Sequence, residues 1–160
     1  MHIVKPKRVC REYTQHLVAP VAAVFPLLCP VREAEWIEGW DPRLVLSHSG
    51  VAEPDFVFVT EAGPCDGIWY ITRHDADAGV VEMIKITPGV TACRLNIAVE
   101  AVEGGSAATI RYMYTSLSAE GDKFVEAFTE TYFTRFMQDW EARINYYLVH
   151  GIALGEVRCA

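Results

Sequence analysis

The chain has 160 residues, 51% hydrophobic and 22% charged, with 11 Gly and 8 Pro. Values this ordinary exclude disorder, collagen and coiled coil, and the length suits about one domain at roughly 150 residues per domain. Fourteen Lys and Arg against 21 Asp and Glu give a net charge of −7 with no basic run, so nucleic acid and anionic membrane surfaces are poor partners. Five cysteines, Cys10, Cys29, Cys65, Cys93 and Cys159, form an odd set without a C-x-x-C pair. That fits neither a disulfide framework nor a structural zinc site and points to a reducing cytoplasm.

In chain order, Met1 to Arg8 leads into Cys10, Arg11 and Glu12 rather than an apolar core, so no export signal is expected. Val9 to Val18 mixes β-branched, aromatic and polar residues and reads as a strand that Ala19-Pro20 stops. The apolar stretch from Leu17 to Val31 has 15 residues and contains Pro20, Pro26 and Pro30, too short and broken to span a bilayer. It reads instead as two short helices, one from Pro20 to Leu28 and one from Pro30 to Trp36. Six strands follow: Leu44 to Ser49, Asp55 to Glu61, Ile68 to His74, Val80 to Thr87, Thr91 to Val102 and Ala107 to Ser116. Gly63-Pro64, Asp75 to Gly79, Pro88-Gly89 and Gly104-Gly105 separate the last five, and connections this short predict an antiparallel meander. In the last third the period changes: Phe124, Phe128, Tyr132, Phe136, Trp140, Ile144 and Tyr147 recur at helical spacing, after Ser118 as N-cap and before Gly151 as stop. About thirty residues at 1.5 Å rise predict one helix roughly 45 Å long. Its apolar face needs an equally apolar partner, and the concave face of the seven strands is the only surface large enough.

This order, strand, two short helices, six strands and long helix, resembles the helix-grip fold of the SRPBCC or START-like superfamily, which includes the birch pollen allergen and the polyketide cyclases. The residues that carry the likeness are Ala19-Pro20 with Val24-Phe25, Glu35-Trp36-Ile37, Gly39-Trp40, Thr115 to Ser118 with Glu120-Gly121, and Ile144 to Leu148 with Gly151. They are similar to an uncharacterised bacterial subgroup of polyketide cyclase/dehydrase-like proteins. The resemblance implies an α+β, helix-grip fold: a seven-stranded curved antiparallel sheet with two short helices after the first strand and a long C-terminal helix on the concave face. It implies one START-like domain over 1–160 with its core at about 8–151. Being structural, these motifs transfer no catalytic residue.

Relatives with this fold hold a cavity between sheet and helix, and an aromatic helix face would line one; a fully packed core would use the same residues. With Leu17 inward, Val9, Arg11, Tyr13 and Gln15 share its face and bring polar groups toward the helix, which a wet or ligand-filled cavity would satisfy. A slip of one residue would send Glu12, Thr14 and His16 inward instead. On the last strand Ile110, Tyr112 and Tyr114 are expected to face the helix. Trp36 and Trp40 stand either at the entrance or in the packing of the short helices, Trp69 is placed inside, and Phe128 and Tyr132 bound the cavity from the helix.

His74, Asp75 and Asp77 form the compact titratable cluster, but they sit in a turn where Asp bonds its own backbone, and no metal or other cofactor is expected. His48 has no partner in sequence, and Cys65 reads as a turn cysteine. No Ser-His-Asp order, phosphate loop or nucleophile elbow is present. The leading expectation is a cytoplasmic protein that binds, sequesters or carries a small hydrophobic or amphipathic molecule. A cyclase or dehydrase using Arg11, Tyr13 and Tyr112 to polarise a polyketide-like or aromatic compound is the second, lacking a base. An interaction module like the chaperone-ATPase activators is the third. The oligomeric state is open, a homodimer included.

Overall fold

The alternating segments assemble into one seven-stranded antiparallel sheet in the computed structural model, which describes residue 1, residues 3–61 and residues 65–155. The strands are β1 (Arg8–Leu17), β2 (Leu44–Leu46), β3 (Val57–Thr60), β4 (Gly67–Asp75), β5 (Val80–Thr87), β6 (Thr91–Val102) and β7 (Gly105–Ser116). Their order across the sheet is β1-β7-β6-β5-β4-β3-β2, so β2 to β7 form the meander and β1 closes onto β7. A register shift between Ile71 and Arg73 on β4 bulges the sheet, and a bulge bends its strand and increases its twist. The turn Gly63-Pro64 and the residue Cys159 lie outside the described residues.

Between β1 and β2 the prolines act as expected. Helix α1 (Val21–Val24) follows Pro20, and because Pro26 has no amide proton the chain tightens into a 3-10 turn over Phe25–Leu28. A second 3-10 turn covers Arg32–Glu35. Strand β2 stops at Leu46, three residues short of Ser49, because the Glu53 carboxylate takes the amides of His48 and Ser49 and the hydroxyl of Ser47. Those donors hold the Glu53 carboxyl far below its ordinary value, at about 2.

The C-terminal helix departs from expectation. It is two helices, α2 (Ala119–Ala127) and α3 (Glu130–His150), instead of one of about thirty residues. Phe128, at φ −76° and ψ 61°, is the centre of an inverse γ-turn closed by the Thr129 amide donating to the Ala127 carbonyl at 2.8 Å. The Thr129 hydroxyl then accepts from the Tyr132 amide and starts α3 as a second N-cap. Ser118 and Gly151 do what the sequence asks of them: the first accepts from the Gly121 amide, the second ends α3 in the left-handed region at φ 70°. Gly121 is required for closeness rather than for its φ, since a Cβ there would lie 1.9 Å from the Val90 carbonyl oxygen.

Both helices cover the concave face. Val125, Phe128, Phe133, Met137 and Ile144 are buried against it, and the inward positions of β6, Cys93, Leu95, Ile97 and Val99, are buried as alternation demands. Strand β1 sits at the sheet edge with Leu17 buried, in the register that turns Arg11, Tyr13 and Gln15 inward. Its free edge is covered by α3. Glu141 accepts from the His16 amide at 3.0 Å, and the Asn145 side chain accepts from the Val18 amide at 3.0 Å and donates to the His16 carbonyl at 2.9 Å. An unpaired strand edge is thereby satisfied by side chains.

Candidate functional site

The concave face and the helices do not close on each other everywhere. Between them lies a cavity of about 490 Å³, inside the range usual for small-molecule sites. Phe58 and Thr60 of β3, Trp69 of β4, Met83 and Lys85 of β5, Leu95 and Ile97 of β6, and Tyr112 and Tyr114 of β7 form its sheet wall. Phe124 on α2, Phe128 at the break, and Tyr132, Phe136 and Trp140 on α3 form the wall opposite. These five stand four residues apart. They are the expected aromatic stripe, in which Phe124 and Tyr132 are exposed at 38% and 56% and Phe128 between them is buried, while further packing residues of the helices lie one residue over, at Val125, Phe133 and Met137. The stripe lines the cavity, and Phe128 with the neighbouring Val125, Phe133 and Met137 also belongs to the core.

The structure brings together Trp40, Trp69, Tyr112, Tyr114, Phe128 and Tyr132, all in the cavity lining. It separates the other four. The Arg11 guanidinium donates to the Phe128 carbonyl at 3.2 Å, the Tyr13 hydroxyl to Glu141 at 3.1 Å, and the Gln15 amide to the Met137 carbonyl at 2.9 Å. The inward polar groups of β1 therefore bond the C-terminal helical segment, and none of the three lines the cavity. Trp36 is fully buried, its indole donating to the Leu27 carbonyl at 3.1 Å and its ring edge-on to Trp140 at 5.3 Å. It belongs to the packing of the short helices. Trp40 and Trp69 are fixed within the lining by single bonds, to the Pro30 carbonyl at 2.6 Å and the Thr60 hydroxyl at 2.9 Å, and the Trp69 ring is stacked on Phe58.

Among the lining residues that the sequence reading missed, two ionisable ones stand out for their burial. Glu33, in the second 3-10 turn, is 95% buried, counting from its 5% exposure, and no described residue bonds its carboxyl. With desolvation as the sole influence, its carboxyl is pushed up to about 8. It is a neutral acid at pH 7 that can donate one hydrogen bond and accept others. Lys85 points inward from β5, its ammonium 4.8 Å from the centre of the Trp69 ring. Burial lowers its pKa, and among the described residues it forms no ion pair. Beside it the Cys93 thiol is pushed up to about 12 by burial, so it is a neutral thiol and no nucleophile at ordinary pH. Burial likewise raises Tyr112 and Tyr114, which remain protonated phenols.

Outside the cavity, Asp75 bonds Arg73 and the Ala78 amide, the local role expected of a turn aspartate. His74 packs on Phe25 at 4.9 Å, with its Nε2 enclosed and unpartnered. Among the described residues no three His, Cys, Asp or Glu side chains could hold a metal ion together, and no helix is long and apolar enough to cross a membrane.

No family model matches the sequence, and no curated protein does. Solved structures do match the fold. Norcoclaurine synthase from Thalictrum flavum, in complex with dopamine and hydroxybenzaldehyde, is similar at a TM-score of 0.61 and 14% identity over 91% of this chain and 88% of its own. Ara h 8.0201 is similar at 0.62 and 14%, covering 89% of this chain and 99% of its own. A protein from Rhizobium leguminosarum is similar at 0.63 and 14%, covering 91% and 97%. At such identities the likeness is one of fold, and this chain has the helix-grip architecture.

Proposed function

We propose that this protein binds a small hydrophobic or amphipathic molecule in the cavity between its sheet and its two C-terminal helices, to sequester or carry it. The observation that supports this reading is an aromatic cavity whose wall holds a buried carboxyl group that no described residue bonds. An unpaired polar group in a packed interior costs roughly 1–3 kcal/mol, so an interior evolved only to be filled would not keep it. Trp40, Trp69, Tyr112, Tyr114, Phe128 and Tyr132 are the ligand-contacting residues of this proposal. The unit is one START-like domain over 1–160, cytoplasmic, in keeping with cysteines that form no framework.

Binding is tested with N-phenyl-1-naphthylamine, a neutral apolar fluorophore. Its emission should rise on mixing with the protein while Trp40, Trp69 and Trp140 transfer energy to it. Leu95→Trp, which fills the cavity from the sheet, should abolish the signal while circular dichroism stays unchanged. Equal fluorescence with the filled variant would refute the site.

Glu33 also gives substance to the second reading, a polyketide cyclase/dehydrase-like enzyme. Arg11 and Tyr13 are committed to the helices, but Glu33, Lys85 and Tyr112 share the cavity wall and supply an acid, a cation and a phenol. A carboxyl that titrates at about 8 is matched to proton transfer near neutral pH. Turnover of aromatic poly-β-ketone thioesters, lost in Glu33→Gln with binding retained, would establish it; binding without turnover leaves the carrier. A filled interior with a large exposed apolar patch would favour the interaction-module reading, and the open cavity speaks against it.

A further inference from the structure

Resting on the binding reading above, we infer that the ligand is a monoanion, an aromatic or long-chain carboxylate whose head group pairs with the Lys85 ammonium while its apolar body lies along the stripe from Phe124 to Trp140. The charges of the lining lead there. Its carboxylates Glu38, Glu61 and Asp139 are exposed, where water and salt screen them within about 8–10 Å. Its other cation, Arg143, is held by Asp139 at 2.7 Å. Lys85 is the lining cation that no described carboxylate meets. The Trp69 face at 4.8 Å steadies the ammonium but accepts no strong hydrogen bond, leaving donors of a three-proton head unused. Glu33, the one buried carboxyl in the lining, is protonated at neutral pH and does not neutralise it.

A partly buried ammonium in an aromatic wall is incomplete without a counter-charge, since desolvation penalises it until an anion arrives. A neutral ligand would leave it so, and a cation would add repulsion. The pairing would also orient the ligand, head toward β5 and body toward α2 and α3.

The test compares two fluorophores that differ by one anionic group: 8-anilinonaphthalene-1-sulfonate and its neutral counterpart N-phenyl-1-naphthylamine. A charge-assisted bond should make the sulfonate bind at least about tenfold more tightly. Lys85→Met should bring the ratio of the two affinities toward one, the sulfonate losing far more than the neutral probe, and Lys85→Arg should restore most of the ratio. Equal affinities in the unaltered protein, or parallel loss of both probes in Lys85→Met, would overturn the anionic ligand while leaving the binding reading in place. Failure of both probes to bind the unaltered protein would overturn that reading and this inference with it.

Discussion

Replacing Glu33 with Gln tests the electrostatics of the cavity directly. The carboxyl titrates near 4.5 in the unfolded chain and at about 8 in the folded one. Between those values the folded protein holds a proton that the unfolded chain has released, so the stability present at acid pH is lost as pH rises. The slope is about 1.4 kcal/mol per pH unit, and across the window the loss is roughly 5 kcal/mol. Gln keeps the shape and the hydrogen-bonding ends without the ionisation. Urea midpoints from pH 4.5 to 8.5 should show the two proteins nearly equal at the acid end and Glu33→Gln increasingly more stable toward pH 8. For a chain of this size the corresponding difference in Tm is on the order of 10–20 °C. Titrations common to both proteins cancel in the comparison. Parallel curves would mean that Glu33 ionises freely in the folded state, and a variant less stable at every pH would mean that the carboxyl has a bonding partner; either result refutes the reasoning.

Three further outcomes are expected. Phe133→Ala, at 1% exposure, should cost about 3–5 kcal/mol, whereas Tyr132→Ala, at 56%, should cost under about 1 kcal/mol, so urea midpoints will separate core face from cavity stripe. The pKa of His74 is lowered by burial from its ordinary 6.5, so stability present above that value should fall as pH drops below it, and His74→Leu should flatten this acid limb in thermal melts. Asn145→Ala removes two bonds to the edge of β1 and should cost about 1–2 kcal/mol, with faster hydrogen exchange at the Val18 amide read by NMR.

How far the sequence carried depended on whether a local pattern had a competitor. Strands β5 and β6 match their expected bounds because clean alternation is framed by Gly79, Pro88-Gly89 and Gly104. Strand β2 does not, since the side chain that ends it, Glu53, is several residues downstream. The helix break was invisible in the hydrophobic period, because Phe124, Phe128, Tyr132, Phe136 and Trp140 keep their spacing across it; Thr129-Glu130 was the available sign of a second N-cap. Glu33 lies in a charged Arg-Glu-Ala-Glu run that reads as solvated. Yet residues three apart share a face of a 3-10 turn, and Trp36 on that face is fully buried. Lys85 continues the inward alternation of Val81 and Met83 and was legible on period alone. The β1 side chains misled for another reason: inward direction was inferred correctly, but their bonding partners lie over a hundred residues away on the helices.

The joint at Phe128 gives the cavity a mechanical property. Helix α2 is moored to Lys7 through Asp122 and Glu126, and at Ser118 to the Gly89 carbonyl. Helix α3 is moored to the far half of β1 through Met137, Glu141 and Asn145. Two bars fastened separately to one frame meet at a single γ-turn, and Arg11 clasps the carbonyl at the pivot. The aromatic stripe straddles that pivot, with Phe124 on one arm and Tyr132 to Trp140 on the other. The angle between the arms is thus set by the φ and ψ of the residues at that turn. On the proposed binding reading, any change at that turn would alter the width of the cavity, and Arg11, by bonding the pivot carbonyl, holds the turn in its present form.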